Sequence, residues 1–159
     1  MNQAWLHLMT NHIPVLGLPI AALALAWGLA RRHDAVIRLA LFGTVLLGPL
    51  TAFVAWSGEG AEEVVEDTPW ASRTRIHDHE EAGERARLVA LVVAAGALVV
   101  LVMSRRREIS RGGTIAVLVG LVAASGAAGY SALEGGEIRH DEVHGLAPDA
   151  GQPRPPRQQ

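Results

Sequence analysis

The chain has no cysteine, which rules out disulfide staples and thiolate metal sites. It has no lysine either, so all fourteen basic residues are arginine. Together with abundant Ala, Gly and Val, this usage matches GC-rich bacterial codons. No arginine stands between Met1 and Asn11, where a secretory leader would carry its basic start, so the first apolar run is expected to stay in the protein. Charge is absent from the interior of the long apolar runs, which argues against a transporter. No nucleophile–base arrangement, phosphate loop or nucleic-acid-binding pattern is present, so no nucleic-acid partner is expected.

What the chain does have is apolar length. Half of it is hydrophobic, concentrated in residues 13–30, 39–56, 88–103 and 114–130. Each run holds roughly 16–18 residues, against the roughly 17–25 that a membrane-spanning helix needs. The runs are apolar around their whole circumference, whereas the helices of a soluble bundle keep a polar face. The predicted fold is all-α, a bundle of four transmembrane helices in a single domain over residues 1–145, followed by a disordered, proline-rich tail at 146–159. Asn11 is placed to cap the first helix, with Pro14 in its first turn. Gly43, Gly48 and Pro49 predict a kink in the second span. Ala116, Gly120 and Ala124 are spaced for close helix packing, either inside the bundle or between two copies. Thr44 and Ser125 within the runs require only helix packing.

Arginines set the expected orientation. Arg31, Arg32 and Arg38 follow the first span, and Arg105, Arg106, Arg107 and Arg111 follow the third, against only Asp34 and Glu108. The positive-inside rule puts both connections in the cytoplasm and both termini outside, as expected for a multi-pass protein of a bacterial inner membrane. Trp5, Trp56 and Trp70 then fall at the outer interface and Trp27 at the inner one. The middle connection, residues 57–87, is expected to be an acidic, histidine-rich loop facing the periplasm or cell exterior.

Six of the seven histidines (His7, His12, His77, His79, His140 and His144) fall on that outer side, and His33 alone lies inside. The third helix is expected to begin near Thr68 and Pro69. Carried on at 3.6 residues per turn, it aligns His79 with Ala82, Ala86, Val89, Val93 and Gly96, a small apolar stripe facing the bundle. His77 shares a charged face with Glu81 and Glu84. His79 therefore points inward at the bundle mouth, where a buried imidazole needs a hydrogen-bonded or metal partner. Glu62 and Glu63 fall in a short interfacial helix. Gly135-Gly136 is expected to end the fourth helix and fold the chain back, carrying the E-x-x-H pair Glu137 and His140 over the mouth. The candidate metal ligands are thus His12, Glu62, Glu63, His79, Glu80, His140 and Glu142. Imidazole with carboxylate and no sulfur suits zinc, iron, copper or manganese. Haem b held by two histidines is the alternative, ranked second because no histidine lies within the apolar cores.

The pieces H-x-P (His12, Pro14), GEGAEE (Gly58 to Glu63), HEEA (His79 to Ala82) and GGEIRHDE (Gly135 to Glu142) resemble an uncharacterised family of small four-span bacterial inner-membrane proteins. The resemblance covers Asn11 to Glu142, and its last motif is the most specific. Gly60 and Asp141 stand where the family pattern favours proline, a departure that leaves the candidate ligands in place. It implies the four-span fold and no established activity.

Two functional classes follow. One is a metal-binding membrane protein, redox-active in one version of that reading. The other is a non-catalytic subunit that joins a larger membrane complex or a homo-oligomer, with the acidic outer stretch as its contact or a hydrogen-bonded structural plug. The orientation is testable by itself. A periplasm-active reporter inserted at Gly58–Gly60 should be active and one inserted at Arg105–Arg107 silent; the reverse pattern would invert the topology.

Overall fold

A chain segment in hydrocarbon must satisfy its own main-chain N–H and C=O groups, and an unbroken helix does so. In the computed structural model, which describes residues 3–65, 68 and 71–138, helix is the only regular structure among the described residues. A short α1 (Gln3–Thr10) leads into α2 (His12–Arg31), which turns tightly into α3 (Asp34–Val65). Two further long helices follow, α4 (Arg73–Met103) and α5 (Arg111–Glu137). The α1–α2 stretch, α3, α4 and α5 are four segments long and apolar enough to cross a membrane. The expected all-α, four-span architecture is what the structure has, and it marks a multi-pass membrane protein.

The bundle is centred on a helix with a small-residue face. Helix α4 lies between α3 and α5, α2 closes the ring against both, and α1 rests on α3. The buried stripe of α4 runs through Ala82, Ala86, Ala90, Ala94 and Ala97. Leucines fall on both sides: Leu23 and Leu39 are each 70% exposed, while Leu18, Leu25, Leu41 and Leu121 are buried in the core. In water that pattern would be untenable, but in lipid the outward Leu costs nothing and close backbone approach drives association. Gly48 shows how close: a Cβ there would fall 2.5 Å from the Cβ of Ala94. Gly120 and Ala124 of α5 likewise face the bundle, Gly120 against Val93, although Ala116 is exposed.

Polar groups inside the spans are returned to the helix. The hydroxyls of Thr44, Thr51 and Ser125 donate to the carbonyls of Ala40, Leu47 and Leu121, each four residues back. Trp27 leans on His33 with ring centres 5.9 Å apart, and Trp5 and Trp56 are exposed near the opposite end. Trp70 and the 146–159 tail lie outside the described residues.

Several boundaries differ from expectation. The 57–87 stretch is no loop over most of its length. Helix α3 continues through GEGAEE to Val65, so Glu62 and Glu63 sit on the span's own extension and not on a separate interfacial helix. Its 32 residues make it about 48 Å long at 1.5 Å per residue, well beyond a hydrocarbon core of about 30 Å. Helix α4 opens at Arg73 with Ser72 before it, later than Thr68, whose hydroxyl instead donates to Val65 O at 2.6 Å. Helix α5 runs through Gly135-Gly136 to Glu137. Asn11 does not cap α2 with its side chain: its backbone stays helical, with φ −59° and ψ −26°, as the preceding α1 dictates.

The α2–α3 turn closes on Arg32, whose φ of 52° is the only positive one at a non-glycine among the described residues. The His33 N–H donates to Gly28 O at 2.9 Å and that of Arg32 to Leu29 O at 3.4 Å, a Schellman ending in which glycine is the usual occupant. An arginine there costs about 1–2 kcal/mol.

The close approach at Gly48 has a built-in control at Gly43, where an added Cβ would meet nothing within 4 Å. Gly48→Ala should lower stability in detergent by about 1–3 kcal/mol through overpacking. Gly43→Ala should be neutral, or stabilising by about 0.5–1 kcal/mol through helix propensity. Thermal denaturation of the two variants checks both signs.

Candidate functional site

The periodicity that gives α4 its alanine stripe carries His79 to the same face, three residues before Ala82. His79 is half-buried and its Nδ1 lies 2.8 Å from Ser131 O on α5. A carbonyl only accepts, so Nδ1 carries the hydrogen and, in the neutral ring, Nε2 keeps a free lone pair. The ring lies over Gly135, where a Cβ would come within 2.8 Å of His79 Cε1. Gly135 therefore makes room for the imidazole and does not end the helix. In α5 a glycine costs roughly 0.5–1 kcal/mol relative to Ala.

Facing it is a residue outside the predicted set. His7, on α1, approaches Val54 O at 3.1 Å and Ser57 Oγ at 3.2 Å through Nδ1. The Ser57 hydroxyl donates to Val54 O at 2.7 Å, so its lone pair is what His7 meets, and the Nδ1–H is shared between two acceptors. His7 thus holds the same tautomer as His79. Their rings stand edge to face, centres 6.1 Å apart and planes at 77°. One turn beyond His7, on the same face, the buried Oδ1 of Asn11 has no hydrogen-bond donor. One turn before His79, Arg75 pairs with Glu137 at 2.6 Å, each side chain 22% exposed, joining the start of α4 to the end of α5.

The other predicted residues do not gather here. His12 is exposed. The buried stripe of α2 runs through Pro14, Leu18 and Leu25, and at about 100° per residue His12 falls on the opposite side from Pro14. Glu62 is half-buried and Glu63 exposed on the last turn of α3. Glu80 is exposed, with its carboxylate 4.0 Å from His77 Nδ1. His77 is 72% exposed, as its charged face predicted. His140 and Glu142 lie outside the described residues. Among the described residues no group of three or more His, Asp and Glu is close enough together to hold a metal ion.

His7 escaped the sequence reading because its position depends on α1 folding against α3, which no local pattern encodes. The available signal was the i, i+4 spacing of His7 and Asn11 in an otherwise largely apolar stretch. No family model, curated protein or solved structure matches the chain.

The two neighbouring histidines on α4 should behave differently in metal-free protein. His79→Ala removes a half-buried hydrogen bond and should cost about 0.5–1.5 kcal/mol. His77→Ala should stay within about 0.5 kcal/mol. Melting temperatures in chelator-treated detergent samples report both, and equal shifts would break the phase assignment.

Proposed function

We propose that this is a small bacterial inner-membrane protein that binds a transition-metal ion at the end of the bundle opposite the α2–α3 and α4–α5 connections, facing the periplasm or cell exterior. The ligands on this reading are Nε2 of His7 and Nε2 of His79. Asn11 Oδ1, a buried acceptor without a donor, is the third candidate. His140 and Glu142, next along the chain after α5, are the further donors that the sequence pattern nominates.

One observation carries the reading: two imidazoles from different helices stand together, each with Nδ1–H tied to a main-chain carbonyl. That tie fixes the tautomer and orientation in which Nε2 binds metal, as it does for most metal-ligating histidines. The spacing is close to, and somewhat wider than, that of two imidazoles on one ion. Two imidazoles on one tetrahedral ion, with metal–nitrogen bonds of about 2.0–2.1 Å, put their ring centres roughly 5.2 Å apart. The observed separation is 6.1 Å. Imidazole nitrogen with an amide or carboxylate oxygen favours zinc, copper or iron. The orientation rests on arginine asymmetry.

The test is metal analysis of purified protein beside its absorption spectrum. Wild type and His77→Ala should hold stoichiometric metal, while His7→Ala and His79→Ala should lose at least tenfold in affinity, the usual scale for a ligand or its support. A Soret band would assign the pair to haem b instead. Protein that stays metal-free after incubation with zinc, copper and iron would overturn the metal reading and favour the accessory-subunit role.

A further inference from the structure

The opposite end of the bundle contains a cavity of about 140 Å³ between the α2–α3 turn and the start of α5. Leu29, Ile37 and Thr114 form its inner wall and Arg32, Asp34 and Arg111 its exposed rim. Thr114 is fully buried and its hydroxyl is committed to Ser110 O at 2.8 Å. Arg38, in the second turn of α3, donates to Ser104 O at the end of α4 at 3.2 Å and so ties the two helices together near the cavity.

Its electrostatics are unbalanced. Neither Arg32 nor Arg111 makes an ion pair or side-chain hydrogen bond among the described residues. Asp34 lies in the first turn of α3, where its charge offsets the helix dipole, and the rim keeps one excess positive charge. This whole end carries Arg31, Arg32, Arg38, Arg105, Arg106, Arg107 and Arg111 against Asp34 and Glu108. Two guanidinium groups at one rim match the oxygens of a phosphate, which they bind in a planar, forked geometry. The inner wall decides what the phosphate belongs to. Leu29, Ile37 and the neighbouring Ile109 offer nothing to a free anion, but they suit the glycerol and acyl carbons of a lipid at the hydrocarbon boundary. Basic pockets between membrane helices recognise anionic headgroups by this chemistry.

We propose that the cavity binds the headgroup phosphate of an anionic phospholipid, clamped by Arg32 and Arg111. The backbone supplies a clean variant. Arg32→Gly removes the guanidinium while preferring the left-handed turn that Arg32 tolerates, so lost binding cannot be ascribed to lost folding.

The experiment uses the full-length protein in phosphatidylcholine nanodiscs doped with phosphatidylglycerol, with retained lipid counted by native mass spectrometry and melting followed in parallel. Wild type should retain one phosphatidylglycerol in preference to phosphatidylcholine and melt higher with it. Arg32→Gly and Arg111→Ala should each weaken that retention by about 30-fold, the scale of a charge-assisted hydrogen bond. Arg105→Ala, outside the cavity, should weaken it at most about fivefold, the worth of one arginine near an anionic surface. Equal losses in all three variants would mean diffuse surface charge and overturn the site. No preference for phosphatidylglycerol in wild type would do the same. A melting shift of equal size from millimolar sodium phosphate would overturn the lipid assignment in favour of a soluble anion.

Discussion

Close approach along α4 is the constraint on which the rest of the structure depends. A helix in lipid gains little by hiding Leu from its surroundings, since hydrocarbon surrounds it on either side, so association rests on how tightly backbones meet. Ala82, Ala86, Ala90, Ala94 and Ala97 form a smooth seam on α4, and Gly48 on α3 and Gly120 on α5 meet it or its neighbouring Val93 from either side. Once α4 is seated, the positions of α3 and α5 follow, and α2 closes against both. His79 is the outward continuation of the same seam. Its inward aim needs no separate cause: the phase that buries the alanines also brings the imidazole to Ser131 O and over Gly135.

Helix length has a second consequence. Helices α3 and α4 outlast their apolar runs by several turns, so the polar residues of 57–65 and 73–87 are displayed on the helices themselves. Exposed i, i+3 and i, i+4 pairs, Glu84–Arg87 and Glu81–Arg85, line the outward face of α4. These pairs are solvent-screened and individually weak. What they accomplish is to let the helix remain a helix in water, which holds His79 in register with α5.

Much of this was legible in the sequence, for reasons that also explain what was not. Circumferential hydrophobicity identified the spans, because bilayer thickness sets their length. Helical phase separated His79 from His77, because α4 is continuous across both. Glycine misled. Gly135-Gly136 reads as punctuation by rules drawn from soluble chains, yet both glycines lie inside α5. A Cβ added at Gly58 would meet the His7 ring at 3.2 Å, and one added at Gly135 would meet the ring of His79. Both glycines are where an imidazole approaches a neighbouring backbone, and a single sequence does not distinguish a missing side chain that makes a turn from one that makes room. His7 was invisible for a related reason: its value as a site residue is created by α1 lying on α3. His12 was favoured in its place because depth along the chain was readable and azimuth around α2 was not.

The imidazole pair also occupies a distinctive mechanical position. His7 is anchored to α3 through Val54 and Ser57, and His79 is anchored to α5 through Ser131. The two rings therefore bring together one anchor on each helix that flanks α4, at the end where α3 and α4 have run past their apolar segments. An ion held by both nitrogens would cross-link these anchors. It would bind the folded bundle and not the separated helices, so it would stabilise the fold by RT ln(1 + [L]/Kd), about 2.7 kcal/mol at a hundredfold excess over Kd. On the proposed metal reading, the polar end of the bundle is loosest when empty, and occupancy is communicated to α1, α3, α4 and α5 together. At the other end, the bond from Arg38 to Ser104 O joins α3 to the end of α4 without a ligand. Both ends are thus tied by the chain itself, the histidine end through Arg75 and Glu137, and on the metal reading an ion would add a cross-link at the histidine end only.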